Sequence, residues 1–113
     1  MTLAEIRDIL EAKVYACEEL LDKEVKYGCA SDMISDILAF ATPGSVLLTG
    51  IVSPQIVKVG KILDLAGIVI VRGKEPLPET VDKAKEENIP LLKTRYFLFD
   101  ACGKLYERGL RGV

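Results

Sequence analysis

The stretch SVLLTGIVSPQIVKVGKILDLAGIVIV, residues 45–71, decides the fold. Residues 45–49 form a largely apolar run between turn residues, which is typical of a strand buried on both faces of a parallel sheet. Ser53 and Pro54 mark the start of a helix, because proline is tolerated in the first helical turn. Residues 68–71 are four consecutive β-branched residues, and they predict a second strand. A strand, a helix and a strand in this order predict a β-α-β unit with parallel strands.

The same alternation continues toward the end of the chain. Pro78 and Glu79 predict the start of a mostly polar helix, and residues 90–93 predict a short strand. We expect Thr94 to cap a last helix that covers residues 95–108. Alternating strands and helices favour parallel strands joined by right-handed crossovers.

The N-terminal part contains a helix-start signal and shorter elements. Thr2 and Glu5 have the spacing of a capping box, which predicts a helix over residues 3–11. The other predicted elements are strands at 13–17 and 25–30, a turn at 18–24, and a helix at 33–41. Ser31 and Asp32 are the two candidate caps of that helix. We therefore expect a single α/β domain over residues 1–113, with a mainly parallel sheet between helices.

The composition excludes several classes of function. The chain has 113 residues, a net charge of −2, three cysteines and no histidine. A weakly acidic chain gains little from releasing phosphate counterions, so we predict no nucleic-acid binding. Zinc and iron–sulfur sites need several thiolate or imidazole ligands at one point, so we predict no metal and no cofactor. Cys17, Cys29 and Cys102 are interpreted as buried free thiols in a reducing compartment.

No part of the sequence indicates a membrane or an export signal. No stretch approaches the roughly 18 apolar residues of a membrane-spanning helix. The first residues, MTLAEIRD, are acidic where a signal peptide would be basic and then apolar. We therefore predict a cytoplasmic protein without membrane contact.

Three predicted strand ends carry residues suited to binding a small anion. Ligands of open parallel sheets collect at the carboxyl ends of the strands, where helix N-termini favour negative charge. The candidate ligand-binding residues are Thr49, Gly50, Ser53, Arg72, Gly73, Thr94 and Arg95. Ordinary loops and helix caps contain the same residue types, so a purely structural role stays open. The two common glycine-rich nucleotide motifs, G-x-x-x-x-G-K-[ST] and G-x-G-x-x-G, are absent.

The sequence contains no complete set of catalytic residues. Triads that depend on histidine are excluded because the chain has none. Asp32 and Asp36 share one face of a predicted helix, and paired carboxylates can carry out acid–base chemistry. We interpret Asp32 as a cap and Asp36 as a solvated position, so we predict no catalytic residues.

Two segments resemble the DRTGG-domain family. They are LAGIVIVRGKEP, residues 65–76, and NIPLLKTRYFLFDACGKLYERGL, residues 88–110. The upstream segment LLDKEVKYGCASDMISDIL, residues 20–38, is similar to the start of the family's free-standing members. In the family, Gly-Asp-Arg follows one strand and Thr-Gly-Gly follows the next. Gly50 keeps the first glycine, whereas Ile51 and Val52 replace Asp and Arg, and Val71-Arg72-Gly73 replaces Thr-Gly-Gly.

The resemblance implies both a fold and a role. The family is similar to the N-terminal domain of HPr kinase, which is a three-layer α/β/α unit. Its relatives in phosphotransacetylases and regulated pyrophosphatases are regulatory or dimer-forming parts, so a homodimer that binds a small anion or an adenine nucleotide is implied. The alternative is an accessory module that docks on a partner enzyme, since some free-standing members accompany iron-hydrogenase genes. A phosphotransferase activity has the least support, because the phosphate loop of HPr kinase lies in its other domain.

Overall fold

The strands and helices follow the alternation expected from the sequence. The computed structural model describes residues 1–113. Its elements in chain order are α1 (Leu3–Ile9), β1 (Lys13–Ala16), a 3₁₀ turn (Glu18–Leu20), β2 (Tyr27–Ala30), α2 (Ile34–Phe40), β3 (Ser45–Thr49), α3 (Gln55–Ile62), β4 (Gly67–Ile70), α4 (Pro78–Glu87), β5 (Leu91–Lys93) and α5 (Leu98–Glu107).

The five strands form one sheet in the order β1-β5-β4-β3-β2. Strands β2 to β5 are parallel to their neighbours, and β1 adds to β5 in the antiparallel direction. The register of β1 shifts between Val14 and Ala16, so this edge strand is irregular. The mainly parallel α/β fold predicted from the sequence is confirmed.

The buried side chains alternate between the two faces of the sheet, as the pleat requires. Val46 and Leu48 of β3 pack with α1 and α5, whereas Leu47 of the same strand packs with α2, α3 and α4. Strand β4 alternates in the same way. The sheet therefore separates two apolar layers, and each layer is closed by its own set of helices.

Three local predictions are wrong in detail because contacts distant in sequence decide them. Strand β2 starts at Tyr27, since Val25 instead donates its backbone N–H to the carbonyl oxygen of Met1 at 2.7 Å. Asp32 does not cap α2, because its carboxylate binds the loop after β3. Thr94 does not cap α5, which begins only at Leu98.

The cysteines are free thiols at different depths. Cys17 is buried, and Cys29 and Cys102 are half-buried. Desolvation raises the pKa of all three thiols, which keeps them protonated. No helix of the structure combines the length and the apolar character needed to cross a membrane.

Candidate functional site

The loops after β2, β3, β4 and β5 meet at one edge of the sheet, because these strands are parallel. All seven residues predicted to bind a ligand lie at or just beyond this edge. The structure divides them into two groups. One group surrounds Gly50, and the other surrounds Thr94.

Asp32, just after β2, is the central residue of the group around Gly50. Its Oδ1 accepts hydrogen bonds from the backbone N–H of Gly50 at 2.6 Å and from Oγ1 of Thr49 at 3.2 Å. The hydroxyl of Thr49, which is fully buried, also accepts the N–H of Ile51. Oδ2 of Asp32 accepts no hydrogen bond from the protein. Asp32 therefore fixes the end of β3 with one carboxylate oxygen and keeps the other free.

Arg72 approaches Gly50 as well, on the side where a side chain at position 50 would lie. A Cβ atom on Gly50 would lie 2.9 Å from Nη2 of Arg72 and 3.3 Å from Oδ1 of Asp32. A side chain at position 50 would therefore displace the flexible end of the Arg72 side chain. The exposed Arg72 side chain forms no ion pair and no hydrogen bond with the protein. A free guanidinium group and a free carboxylate oxygen consequently lie next to the same glycine.

The backbone of Arg72 and Gly73 is bound to the neighbouring loop. Both residues have φ of +64°, a left-handed conformation that glycine adopts readily and arginine does not. Their N–H groups donate to the carbonyl oxygens of Tyr96, at 2.8 Å, and Thr94, at 2.9 Å. The space between the loops after β4 and β5 is therefore closed, and these two N–H groups are not available to an anion.

The group around Thr94 is occupied by protein contacts. The buried hydroxyl of Thr94 donates to the carbonyl oxygen of Leu10 at 2.7 Å, at the end of α1. Arg95 pairs with Glu11 at 3.3 Å and also contacts the hydroxyl of Tyr96. The hydroxyl of Tyr96 donates to Glu11, and this bond, followed by the charge of Arg95, lowers the pKa of the Glu11 carboxyl. Thr94 and Arg95 thus connect β5 to the α1–β1 turn.

The loop between β3 and α3 is held from its far side as well. The carbonyl oxygen of Val52 accepts hydrogen bonds from Oγ1 of Thr80, at 2.6 Å, and from the N–H of Leu77. Ser53 follows, half-buried, with a hydroxyl that makes no hydrogen bond to the protein. Asp32 and Thr80 therefore hold the two ends of the loop, and the Ser53 hydroxyl remains free.

Asp32 is not among the residues that the sequence predicts, because only three strand ends stand out there, whereas the end of β2 contributes to the same edge. The polar pair Ser31-Asp32, directly after the strand at 27–30, is the signal that indicates it. No cluster of three or more acidic or cysteine side chains in the structure could hold a metal ion.

Comparisons with known proteins bear on the fold. No protein-family model matches the chain, and no curated protein sequence matches it. The chain is similar to a solved structure of the CBS and DRTGG domains of the regulatory region of Clostridium perfringens pyrophosphatase, complexed with its activator diadenosine tetraphosphate. The two chains are 21% identical with a TM-score of 0.71, over 92% of this chain and 45% of that chain. This chain thus spans less than half of the chain it matches, and the resemblance to a DRTGG-type domain is confirmed at the level of the fold.

Proposed function

We propose that this chain is a cytoplasmic, non-enzymatic regulatory module that binds an adenine nucleotide at the edge formed by Asp32, Gly50 and Arg72. The observation that carries the proposal is the pair of unused charged groups, one of each sign, beside Gly50. A structural ion pair would satisfy both groups, whereas here each is left free toward solvent.

The two groups match the two kinds of polar group on a nucleotide. A guanidinium group binds phosphate oxygens with charge-assisted hydrogen bonds. A carboxylate oxygen accepts the hydroxyl hydrogens of a ribose, as acidic residues do in dinucleotide-binding folds. Ser53 lies on the same loop as Gly50, and its free hydroxyl adds a donor. Inorganic phosphate would bind only the guanidinium group of Arg72, and the carboxylate of Asp32 would repel it.

Some of the seven ligand-binding residues predicted from the sequence belong to the proposed site, and others do not. Thr49, Gly50, Ser53 and Arg72 belong to the proposed pocket, with Gly73 fixing the backbone beside Arg72. Thr94 and Arg95 stay outside it, because α1 and Glu11 already occupy their polar atoms. The fold similarity to a regulatory region complexed with diadenosine tetraphosphate supports a nucleotide as the ligand.

A regulatory role fits the side chains at this edge better than a phosphotransferase role. The chain has no histidine, and one oxygen of the Asp32 carboxylate accepts a hydrogen bond from the backbone N–H of Gly50. Neither a general base beside a nucleophile nor a glycine-rich phosphate loop is present in the sequence. Incubation with labelled ATP and candidate proteins should therefore give no transfer of phosphate.

Thermal unfolding and calorimetry with a panel of ligands test the proposal. Diadenosine tetraphosphate, ATP and AMP should raise the unfolding midpoint more than adenosine or inorganic phosphate. A ligand at about 100 times its Kd adds about 2.7 kcal/mol of stability, which corresponds to a shift on the order of 10 °C for a domain of this size. Absence of a shift with every nucleotide would contradict the proposal.

Two variants locate the site. Asp32→Asn keeps an acceptor for the N–H of Gly50 but replaces the free oxygen by a donor, so it should weaken nucleotides more than phosphate. Arg72→Ala should weaken every phosphate-containing ligand. Arg108→Ala is the matched control, because Arg108 is also exposed and unpaired but lies at the end of α5. Equal binding by all three variants would place the ligand elsewhere.

Self-association is a second part of the proposal, and we propose a homodimer. The apolar content of 50% and several exposed aromatic side chains support it. Sedimentation across the micromolar range measures it directly, and a strict monomer would contradict it.

Docking on a partner enzyme, such as one associated with an iron hydrogenase, is the second candidate function. The exposed side chains Met33 and Phe40 on either end of α2 favour it, since 58% and 68% of their surface is accessible. Co-purification with such an enzyme that is lost on Phe40→Glu would support this candidate. Recovery of the chain without the enzyme would count against it.

A further inference from the structure

A second group of polar side chains lies where edge strand β1 pairs with β5, at the same edge of the sheet as Gly50 but on the other side of β4. Lys93 ends β5 and Lys13 begins β1, and the two residues are directly opposite each other across the antiparallel pair. Like charges directly opposite each other destabilise a strand pair, and a nearby anion relieves this repulsion. The two lysines therefore favour an anion at this end of the edge.

Tyr15 of β1 adds a hydroxyl group to the two lysines. The register of β1 shifts between Val14 and Ala16, so Tyr15 has no counterpart on β5. A bulge of this kind re-aims a side chain. The half-buried ring of Tyr15 packs on the sheet face that α3 and α4 cover, and its centroid lies 4.9 Å from Nζ of Lys13 and 5.8 Å from Nζ of Lys93. Two ammonium groups and one hydroxyl group are thus held together by two hydrogen-bonded strands.

The carboxylate of Glu75 occupies this group of donors. Its Oε1 accepts a hydrogen bond from Nζ of Lys93 at 2.5 Å, and its Oε2 accepts one from the hydroxyl of Tyr15 at 2.8 Å. Glu75 belongs to the loop between β4 and α4, and its side chain is 67% exposed, whereas that of Lys93 is only 21% exposed. The donors are therefore fixed on strands, and the acceptor is an exposed loop side chain that can leave without disturbing the sheet.

One carboxylate does not balance the charge of two lysines. Glu75 pairs with Lys93, whereas the exposed Lys13 takes part in none of the ion pairs of the protein. The ammonium group of Lys13 contacts the Tyr15 ring instead, which is a neutral partner. One positive charge is therefore left without an acidic partner. A ligand with two negative charges would neutralise both lysines, which Glu75 alone does not do.

We propose that Lys13, Tyr15 and Lys93, which we call the lysine site, bind a small dianion such as inorganic phosphate or a dicarboxylate, and that the ligand displaces Glu75. A carboxylate or phosphate group has two oxygen atoms that can accept the same two hydrogen bonds that Glu75 accepts, and the second negative charge pairs with Lys13. The lysine site is independent of nucleotide binding beside Gly50, because β4 lies between the two places and strands are about 4.8 Å apart.

Calorimetry with inorganic phosphate and with succinate tests the lysine site in an Arg72→Ala background, where the guanidinium group cannot contribute. Glu75→Gln removes the competing carboxylate, so it should bind these probes about 2- to 5-fold more tightly, which is the effect of one exposed ion pair. A purely structural ion pair predicts a different result, because Glu75→Gln would then bind neither probe. A preference for one of the two probes distinguishes a phosphate ligand from a dicarboxylate.

Lysine variants locate the bound dianion. Added to Glu75→Gln, either Lys93→Gln or Lys13→Gln should weaken binding at least about 10-fold. Lys58→Gln is the matched control, because Lys58 is exposed on α3 and forms no ion pair. Lys13 is exposed on an edge strand, so Lys13→Gln should keep the fold, and thermal unfolding without ligand checks this.

Two results would overturn the lysine site. One is the absence of binding of both probes by Glu75→Gln, and the other is equal binding by the Lys13, Lys93 and Lys58 variants. Nucleotide binding is measured separately in the chain that retains Arg72, so either proposal can fail while the other stands.

Discussion

Replacement of Arg72 by glycine should stabilise the fold and weaken nucleotide binding at the same time. The structure places Arg72 in a left-handed backbone conformation with a side chain that binds nothing in the protein. Strain at a residue without structural contacts indicates that the side chain serves another purpose. The substitution also introduces the glycine that the DRTGG family, which this sequence resembles, has at the corresponding position.

The expected gain in stability follows from the backbone. A left-handed conformation costs an L-residue about 1–2 kcal/mol, and glycine returns about 0.5–1 kcal/mol of this through its greater freedom in the unfolded chain. The hydrogen bond from the N–H of residue 72 to Tyr96 is kept. We therefore expect the free energy of unfolding to rise by about 0.5–1 kcal/mol, or about 2–4 °C in the midpoint.

The expected loss in binding follows from the guanidinium group. A hydrogen bond to a charged group contributes about 1.5–3 kcal/mol, so the affinity for diadenosine tetraphosphate should fall about 10- to 150-fold. Urea unfolding followed by circular dichroism gives the stability, and calorimetry gives the affinity. Arg72→Ala should lose the affinity without the gain in stability, because alanine keeps the backbone strain.

Two outcomes would refute this reasoning. A glycine variant that is less stable by more than about 1 kcal/mol would show that the arginine side chain holds the loop. An unchanged affinity would show that the nucleotide binds away from Gly50. The variant thus separates a structural role of Arg72 from a ligand-binding role in one pair of measurements.

Three further predictions concern the fold. Thr94→Val should lower the free energy of unfolding by about 1–3 kcal/mol in urea titration, because the carbonyl oxygen of Leu10 loses its buried hydrogen-bond donor. Thr94→Ser keeps the hydroxyl and should retain most of the stability. Gly67→Ala should lower the free energy of unfolding by about 1–3 kcal/mol in the same assay, because the new Cβ would lie 3.0 Å from Cδ2 of Leu3. An unchanged free energy of unfolding would mean that α1 moves aside without cost. Hydrogen bonds from Lys93 and Tyr15 lower the pKa of the Glu75 carboxyl. The ionised carboxylate therefore stabilises the fold above about pH 4.3, and this stabilisation is lost as the pH falls further. In Glu75→Gln, the temperature of the unfolding midpoint should fall less steeply at acidic pH than in the unaltered protein.

The central strands could be predicted from the sequence because their burial leaves little choice. Residues 45–49 and 68–70 are covered on both faces of the sheet, so most side chains in them are apolar and the two polar ones, Ser45 and Thr49, stand at the ends of β3. A run of this kind specifies a buried strand without reference to any other part of the chain. The helices between the strands follow from proline positions and apolar spacing, which are also local signals.

The details of the site depend on contacts that no local pattern encodes. Thr94 stands before a helix and therefore looks like a cap, but its hydroxyl is used by Leu10, 84 residues away in sequence. Asp32 likewise looks like a cap, and its partner is the backbone of Gly50, 18 residues further on. The unusual backbone of Arg72 is stabilised by hydrogen bonds to the loop after β5. Each of these features requires the sheet order, which the sequence pattern leaves open.

The antiparallel addition of β1 to β5 has a consequence for the order in which the chain is made and folded. Strands β2 to β5 are contiguous in sequence and can pair one after another as they leave the ribosome. The segment that carries α1 and β1 emerges first, yet Leu10 lies 84 residues before its hydrogen-bond partner. At a synthesis rate of about 5–20 residues per second, roughly 4–17 s pass between the synthesis of Leu10 and that of Thr94. Leu3, Ile6 and Leu10 are apolar residues that are buried in the folded domain. The α1–β1 segment is therefore the part of this domain on which a nascent-chain chaperone can act before β5 is made.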